Sequence, residues 1–287
     1  MSSRPHAVVV SYPAQGHVNP LMDLSRIMAE RGFKITSVNT EFPNNRIRSA
    51  IEADMNDSLL EGRIRLVSIP DGLGPEEDRS DLNKLFESIL RDMPCMLEEL
   101  IHSVNGSDGN TDEMITCVVA DLFMGWAPEV ATKMGIRSAL FWIGSATTFA
   151  LKLSIPWLIH EGIINGITKG QTPAYPHGFQ GTQGKIVDWA PQKRVLSHPA
   201  IACFLSHCGW NSVMEGLSNG VPFFCWPQFA DHFLIHAYVC DVWKVGLRLD
   251  RDENGIIRRE EFKKKVEQFA SFLMMKNQGL CLWRSRK

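Results

Sequence analysis

The run Ala7-Val8-Val9-Val10-Ser11 most constrains how this chain can fold. A short, unbroken apolar run rich in β-branched residues fits a strand buried on both faces of a parallel sheet, and such a strand needs helices on either side. The next residues supply one. After the turn Tyr12 to Pro20, Leu21, Leu24, Ile27 and Met28 recur at helical spacing, Gly32 is placed to end the helix, and Lys34 to Val38 reads as a second strand. This β-α-β opening predicts a doubly wound α/β domain.

The rhythm continues along the chain. Strands are expected at Ile64 to Ile69, Thr116 to Ala120 and Ser138 to Trp142. Leu82 to Val104 is expected as two helical segments broken near Pro94, followed by helices at Ala127 to Met134 and from about Ser145 to Pro156. Ile163 to Gly184, rich in Gly, Thr, Pro and Gln, reads as a linker. From Lys185 the alternation resumes, with strands at Ala202 to Leu205, Pro222 to Cys225 and Val245 to Leu249. Helices are expected at Asn211 to Leu217, Phe233 to Val242 and Glu260 to about Met274. The organisation is therefore a first Rossmann-like domain over 1–165, a junction over 166–184 and a partial second domain over 185–287, whose three visible strands fall below the usual four to six.

A net charge of −2 over 287 residues leaves no electrostatic footprint for nucleic acid or an anionic membrane. No apolar run reaches the ~18 residues of a membrane span. Seven cysteines without a C-x-x-C pair argue against a disulfide framework or a zinc site, and the start of the chain does not read as a signal peptide. A cytoplasmic monomer without a metal or cofactor is expected. Neither G-x-G-x-x-G nor a Walker lysine loop is present, so dinucleotide and P-loop chemistry lose their usual signal.

Polar residues concentrate where strands end. His17 follows the first strand and Asp121 a later one; on neighbouring strands the carboxylate could orient the imidazole as a general base. The alternative makes His17 a helix cap and Asp121 an ordinary loop carboxylate. The stretch Trp189 to His232 is denser still, and Ser206 to Ser212 leads from an apolar run into a helix start that could hold a phosphate on its N–H groups. Ser212 and Glu215 also match the capping box S-x-x-E, which needs no ligand. Further on, Asp250, Asp252, Asn254, Gly255 and Glu261 satisfy the spacing of a calcium-binding loop, with a polar turn between strand and helix as the alternative.

Trp189 to His232 resembles, along its whole length, the signature box of plant family 1 UDP-glycosyltransferases, with W-A-P-Q, H-C-G-W-N-S, E-G, G-V-P and W-P-x-F-A-D in register. Gly16-His17-Val18-Asn19-Pro20 is similar to the same family's catalytic His motif, and Asp121 in Val119-Ala120-Asp121 to its partner Asp. Ala237 to Lys244 is most similar to the subgroup numbered 83. The resemblance implies a GT-B fold of two Rossmann-like domains and metal-independent transfer of a hexose, with inversion, from a UDP-sugar to a hydroxyl of a small lipophilic acceptor. His17 would be the base and Asp121 its stabiliser. Trp189, with Ala190 beside it, would stack on uracil and Gln192 would hold the uridine. Glu215 would bind the ribose, His207, Asn211 and Ser212 the diphosphate, and Trp210 and Asp231 the sugar.

His232 stands where the family usually has Gln, as in some galactosyl-transferring relatives. UDP-glucose is the expected donor and UDP-galactose the alternative. Family members are about half as long again, and the resemblance jumps from near Gly166 to Tyr175. The rest of the acceptor domain, the interdomain linker and the first donor-domain strands are missing, so unpaired edges, exposed apolar faces and a catalytically impaired remnant are the competing expectation.

Overall fold

The computed structural model describes residues 4–40, 62–79, 81–106, 114–162 and 190–277. The chain divides into two compact units, Met1–Ile143 and Gly144–Lys287. The expected junction at 166–184 lies outside the described residues.

The first unit is built on a five-stranded parallel sheet in the order β3-β2-β1-β4-β5. Its strands are β1 (His6–Val10), β2 (Lys34–Thr40), β3 (Ile64–Ile69), β4 (Cys117–Asp121) and β5 (Arg137–Phe141). β1 is central and buried at every position, as its unbroken apolar run requires. Its side chains alternate between two cores. Val8 and Val10 join Leu85, Ile89, Met93, Leu97 and Ile101, whereas Ala7 and Val9 join Leu21, Ala29 and Ile35.

Those partners come from helices on opposite faces of the sheet. Leu21 and Ala29 belong to α1 (Gln15–Glu30), and the Leu85 to Ile101 row to α2 (Leu82–Gly106). α2 is one continuous helix through Pro94, which corrects the expected break. A proline inside a helix costs about 3 kcal/mol, but burying each large apolar side chain contributes roughly 1.5–3 kcal/mol. The five buried residues, one per turn, outweigh the lost hydrogen bond. α3 (Ala127–Lys133) completes that side. β5 is a sheet edge with its first four residues exposed, including Leu140 at 47%.

The second unit opens with α4 (Ala146–His160), whose N-cap Ser145 accepts from the Thr148 N–H. The sequence reading places this helix in the first domain, but its Thr147 and Thr148 bond Tyr238 and Asp231 within the second unit. Leu151, Leu153, Trp157 and Ile159 on it are exposed. A three-stranded parallel sheet follows, in the order β6-β7-β8: β6 (Phe204–Ser206), β7 (Phe223–Cys225) and β8 (Gly246–Arg248). Its helices are α5 (Gln192–Leu196), α6 (Trp210–Ser218), α7 (His232–Ala237) and α8 (Arg259–Asn277).

The expected helix over Phe233 to Val242 is α7 running into a π turn, Tyr238–Val242. α6 lies so close to β7 that a Cβ on Gly216 would overlap the Phe223 ring. Cys208, Val213, Phe223, Cys225, Ile235 and Val239 form the core beneath.

Candidate functional site

In the first unit β1 and β4 are paired, Val10 opposite Ala120, so both chains leave the sheet side by side. The chain leaving β1 turns and starts α1, putting His17 in its first turn, while Asp121 closes β4. His17 Nδ1 lies 2.8 Å from Asp121 Oδ2, and Asp121 Oδ1 accepts from the Phe123 N–H at 2.8 Å. Asp121 is 0% exposed. An ionised carboxylate only accepts, so Nδ1 carries the proton and Nε2 presents its lone pair. The helix-capping alternative for His17 does not hold, because α1 begins after Ala14 with no side-chain cap. Asp121 does cap a short 3₁₀ turn, Leu122–Met124, but with the oxygen that His17 leaves free.

Two rings brace the imidazole. Tyr12 lies 5.0 Å from it and Phe123 meets it edge-on at 5.1 Å. Burial, reinforced by the Asp121 charge, pushes the Tyr12 phenol above its ordinary value, so Tyr12 stays neutral. Beside Tyr12 is a cavity of about 120 Å³ lined also by Pro13, Thr40, Leu82, Leu85 and the Asp71–Arg79 ion pair. Ser11 Oγ, Asn39 Oδ1 and Thr40 Oγ1, at the C-terminal ends of β1 and β2, are buried without a hydrogen-bond partner among the described residues.

In the second unit the expected residues gather at two helix starts. The chain leaves β6 through His207, Cys208 and Gly209 and enters α6. Cys208 has φ 67°, a left-handed conformation costing about 1–2 kcal/mol. A Cβ on Gly209 would meet the His207 ring, which would have to turn aside. α6 has Gly209 as N-cap and no side-chain cap, so the capping-box reading of Ser212 and Glu215 is wrong. The helix starts at Trp210, which puts Ser212 inside it. Both side chains bond across to α5 instead, where Gln192 Nε2 donates to Ser212 Oγ at 3.0 Å and to Glu215 Oε2 at 2.7 Å. Trp210 is half-buried against the core, and Asn211 follows it in the first turn.

At the start of α7, His232 packs edge-on against His207 with ring centroids 4.7 Å apart, and its Nδ1 accepts from the Phe229 N–H at 3.4 Å. Burial first, then the neighbouring His207, pulls the His232 imidazole down to about 4. Burial also lowers His207, opposed by the Asp231 carboxylate. The pair is therefore neutral near pH 7. Asp231 precedes His232 and lies 3.5 Å from Thr148 Oγ1. Sequence reasoning missed Thr148; its signal is Ser145, three residues earlier, which caps the helix presenting it. Ala190 is half-buried just before α5. Trp189 lies outside the described residues.

The calcium-loop pattern takes the other course. Val245 to Leu249 contains strand β8 instead of an entering helix. Asp252 is occupied by the Asn254 and Ile256 N–H groups and by Arg258, and Lys265 bridges Asp250 and Glu261. Among the described residues no three His, Cys, Asp or Glu side chains converge as a metal site.

Residues 170–249 match the family described as UDP-glucoronosyl and UDP-glucosyl transferase. The chain is 34% identical to UDP-glycosyltransferase 83A1 of Arabidopsis thaliana, covering 92% of this chain and 88% of that one. It is 22% identical to 7-deoxyloganetin glucosyltransferase of Gardenia jasminoides, covering 96% and 90%. The first of these alignments extends over 412 residues although this chain has 287, so part of the relative has no counterpart here. The crystal structure of Os79 from O. sativa in complex with U2F and trichothecene shares the fold, with a TM-score of 0.70, 19% identity and coverage of 91% and 90%. No helix among the described residues is long and apolar enough to cross a membrane.

Proposed function

The chain belongs to the UDP-glucoronosyl and UDP-glucosyl transferase family and is a UDP-dependent glycosyltransferase of GT-B fold, and we propose that it moves glucose from UDP-glucose to a hydroxyl of a small lipophilic acceptor in one inverting step. His17 Nε2 takes the hydroxyl proton as the oxygen attacks the anomeric carbon. UDP leaves from the opposite side, and Asp121 stabilises the imidazolium through Nδ1–H. The observation that carries this reading is the 2.8 Å contact between His17 and a fully buried Asp121 whose second oxygen is fixed by Phe123. A carboxylate held this way cannot turn from the imidazole.

On the donor side, the uncapped start of α6 with His207, Asn211 and Ser212 receives the diphosphate. Because the buried His232 is held neutral and His207 beside it is shifted in the same direction, the diphosphate charge meets helix N–H groups and hydrogen-bond donors in place of a cation. Glu215 takes the ribose hydroxyls, Gln192 and Trp189 the uridine, and Trp210, Asp231 and His232 the sugar, with Ala190 beside Trp189. Glucose as the sugar is supported by the glucosyltransferase among the relatives, and a lipophilic acceptor by the trichothecene bound to the Os79 protein. We assign the reaction to a cytoplasmic monomer.

A second reading is favoured by the three-residue strands of β6, β7 and β8: a remnant that binds UDP without turning over. Titration with UDP-glucose and UDP-galactose, followed by product detection across a panel of phenols and alcohols, separates the two. Glucoside formation that disappears in His17→Ala supports transfer. UDP binding with no product from any acceptor supports the remnant.

A further inference from the structure

Three thiols meet in the core of the second unit: Cys208 in the loop after β6, Cys225 at the end of β7, and Cys240 in the π turn after α7. None takes part in the proposed transfer. Cys208 and Cys225 are buried and Cys240 is half-buried. Cys225 shares this core with Cys208, and Cys240 packs against it. The approach depends on Gly246, where a Cβ would stand 2.7 Å from Val239 Cγ1 and 3.1 Å from Cys225 Sγ.

The surroundings make the two outer partners of Cys225 unequal. His236, one turn before Cys240 and buried, has an Nε2 without a hydrogen-bond partner among the described groups. The neighbouring Cys225 sulfur, then His236 and Arg248, hold the Cys240 thiol below its usual range, whereas the two flanking thiols and burial push Cys225 up. A partly exposed thiol beside a buried one is the division of labour that thiol oxidation needs, one sulfur to react and one to resolve.

We propose that Cys240 and Cys225 are an oxidation site, in which a peroxide oxidises Cys240 and Cys225 closes the product into a disulfide beneath the loop of His207 to Gly209. The Cys240 sulfur attacks one peroxide oxygen, the O–O bond breaks, and the departing oxygen leaves as water after taking a proton. The Cys225 sulfur then displaces hydroxide from the Cys240 sulfenic acid; its own proton joins that hydroxide as the S–S bond forms. Two thiols lose two electrons and one peroxide becomes two waters. This site does not depend on the transfer reading, since it uses none of the residues assigned to it.

The test treats the reduced full chain with hydrogen peroxide and maps peptides by mass spectrometry without reductant. The expected product has lost two hydrogens, links Cys225 to Cys240 and reverts with dithiothreitol. Cys240→Ser should abolish it, Cys208→Ser should retain it, and Cys225→Ser should leave a sulfenic acid on Cys240 that dimedone traps. Cys240 should also react at least about tenfold faster than the exposed Cys95. Circular dichroism checks that each variant folds; should the buried Cys225→Ser fail, the other two variants still decide. A bond between Cys208 and Cys225, or oxidation of Cys240 that never closes to a disulfide, would overturn the proposal.

Discussion

The two sheets of this protein carry their polar residues on different foundations. In the first unit β1 is buried at every position among five strands, with two apolar cores on its opposite faces. In the second unit β7 is equally buried but only three residues long, and its neighbour β6 leaves Leu205 42% exposed. His17 and Asp121 are thus aimed by strand ends deep in a framework. Gln192, Ser212 and Glu215 are aimed mainly at one another, through two hydrogen bonds between short helices. A site fixed by its sheet keeps its geometry without ligand, whereas a site fixed by local bonds gains more order when a ligand joins them.

The largest effect expected from this contrast is catalytic. His17→Ala should lower turnover by about 10²–10⁴-fold while leaving UDP affinity, measured by calorimetry, within about threefold. A parallel loss of UDP binding would break the division of labour between the units. Next comes packing: Ile89→Ala in α2 should cost about 2–5 kcal/mol by denaturant titration, because the helix across Pro94 depends on that row.

The His pair sharpens the comparison through pH. Folding depresses the His232 imidazole to about 4, below an unfolded value near 6.5, so below pH ~6.5 the unfolded chain binds the proton preferentially. Stability should therefore be complete above about pH 6.5 and fall progressively toward pH 4, by up to about 3 kcal/mol. Thermal melts across that range should show the fall, and His232→Gln should flatten it. A smaller effect belongs to Glu215→Ala, which removes one of the two acceptors of Gln192. It should cost about 1–2 kcal/mol of stability and weaken UDP binding about tenfold. Smallest of all, Leu205→Lys on the exposed edge strand should change stability by less than about 0.5 kcal/mol yet reduce aggregation on heating, followed by light scattering.

Much of the fold was legible because strands and helices of this kind announce themselves within a window of ten residues. Each expected strand has a counterpart, from β1 to β8, and the shortness of the second sheet was visible in the count of apolar runs. The family was legible from Trp189 to His232 taken as one string, and the identity to relatives bears it out. Ser212 and Glu215 were harder. Their spacing fits a capping box as well as a bonded cluster, and only the start of α6 at Trp210, with Gln192 facing it, distinguishes the two.

The sequence by itself determined the α/β alternation, the buried centre of the first sheet and the family, since each depends on side-chain periodicity or on an ordered string of residue types. Tertiary structure decided the rest: that α2 runs through Pro94, that Asp121 serves a 3₁₀ turn and His17 together, that Thr148 reaches Asp231, and that three cysteines far apart in the chain share one core. Each of these is settled by contacts between residues distant in sequence, where the burial of a whole face or the pairing of two strands outweighs the preference of any single residue.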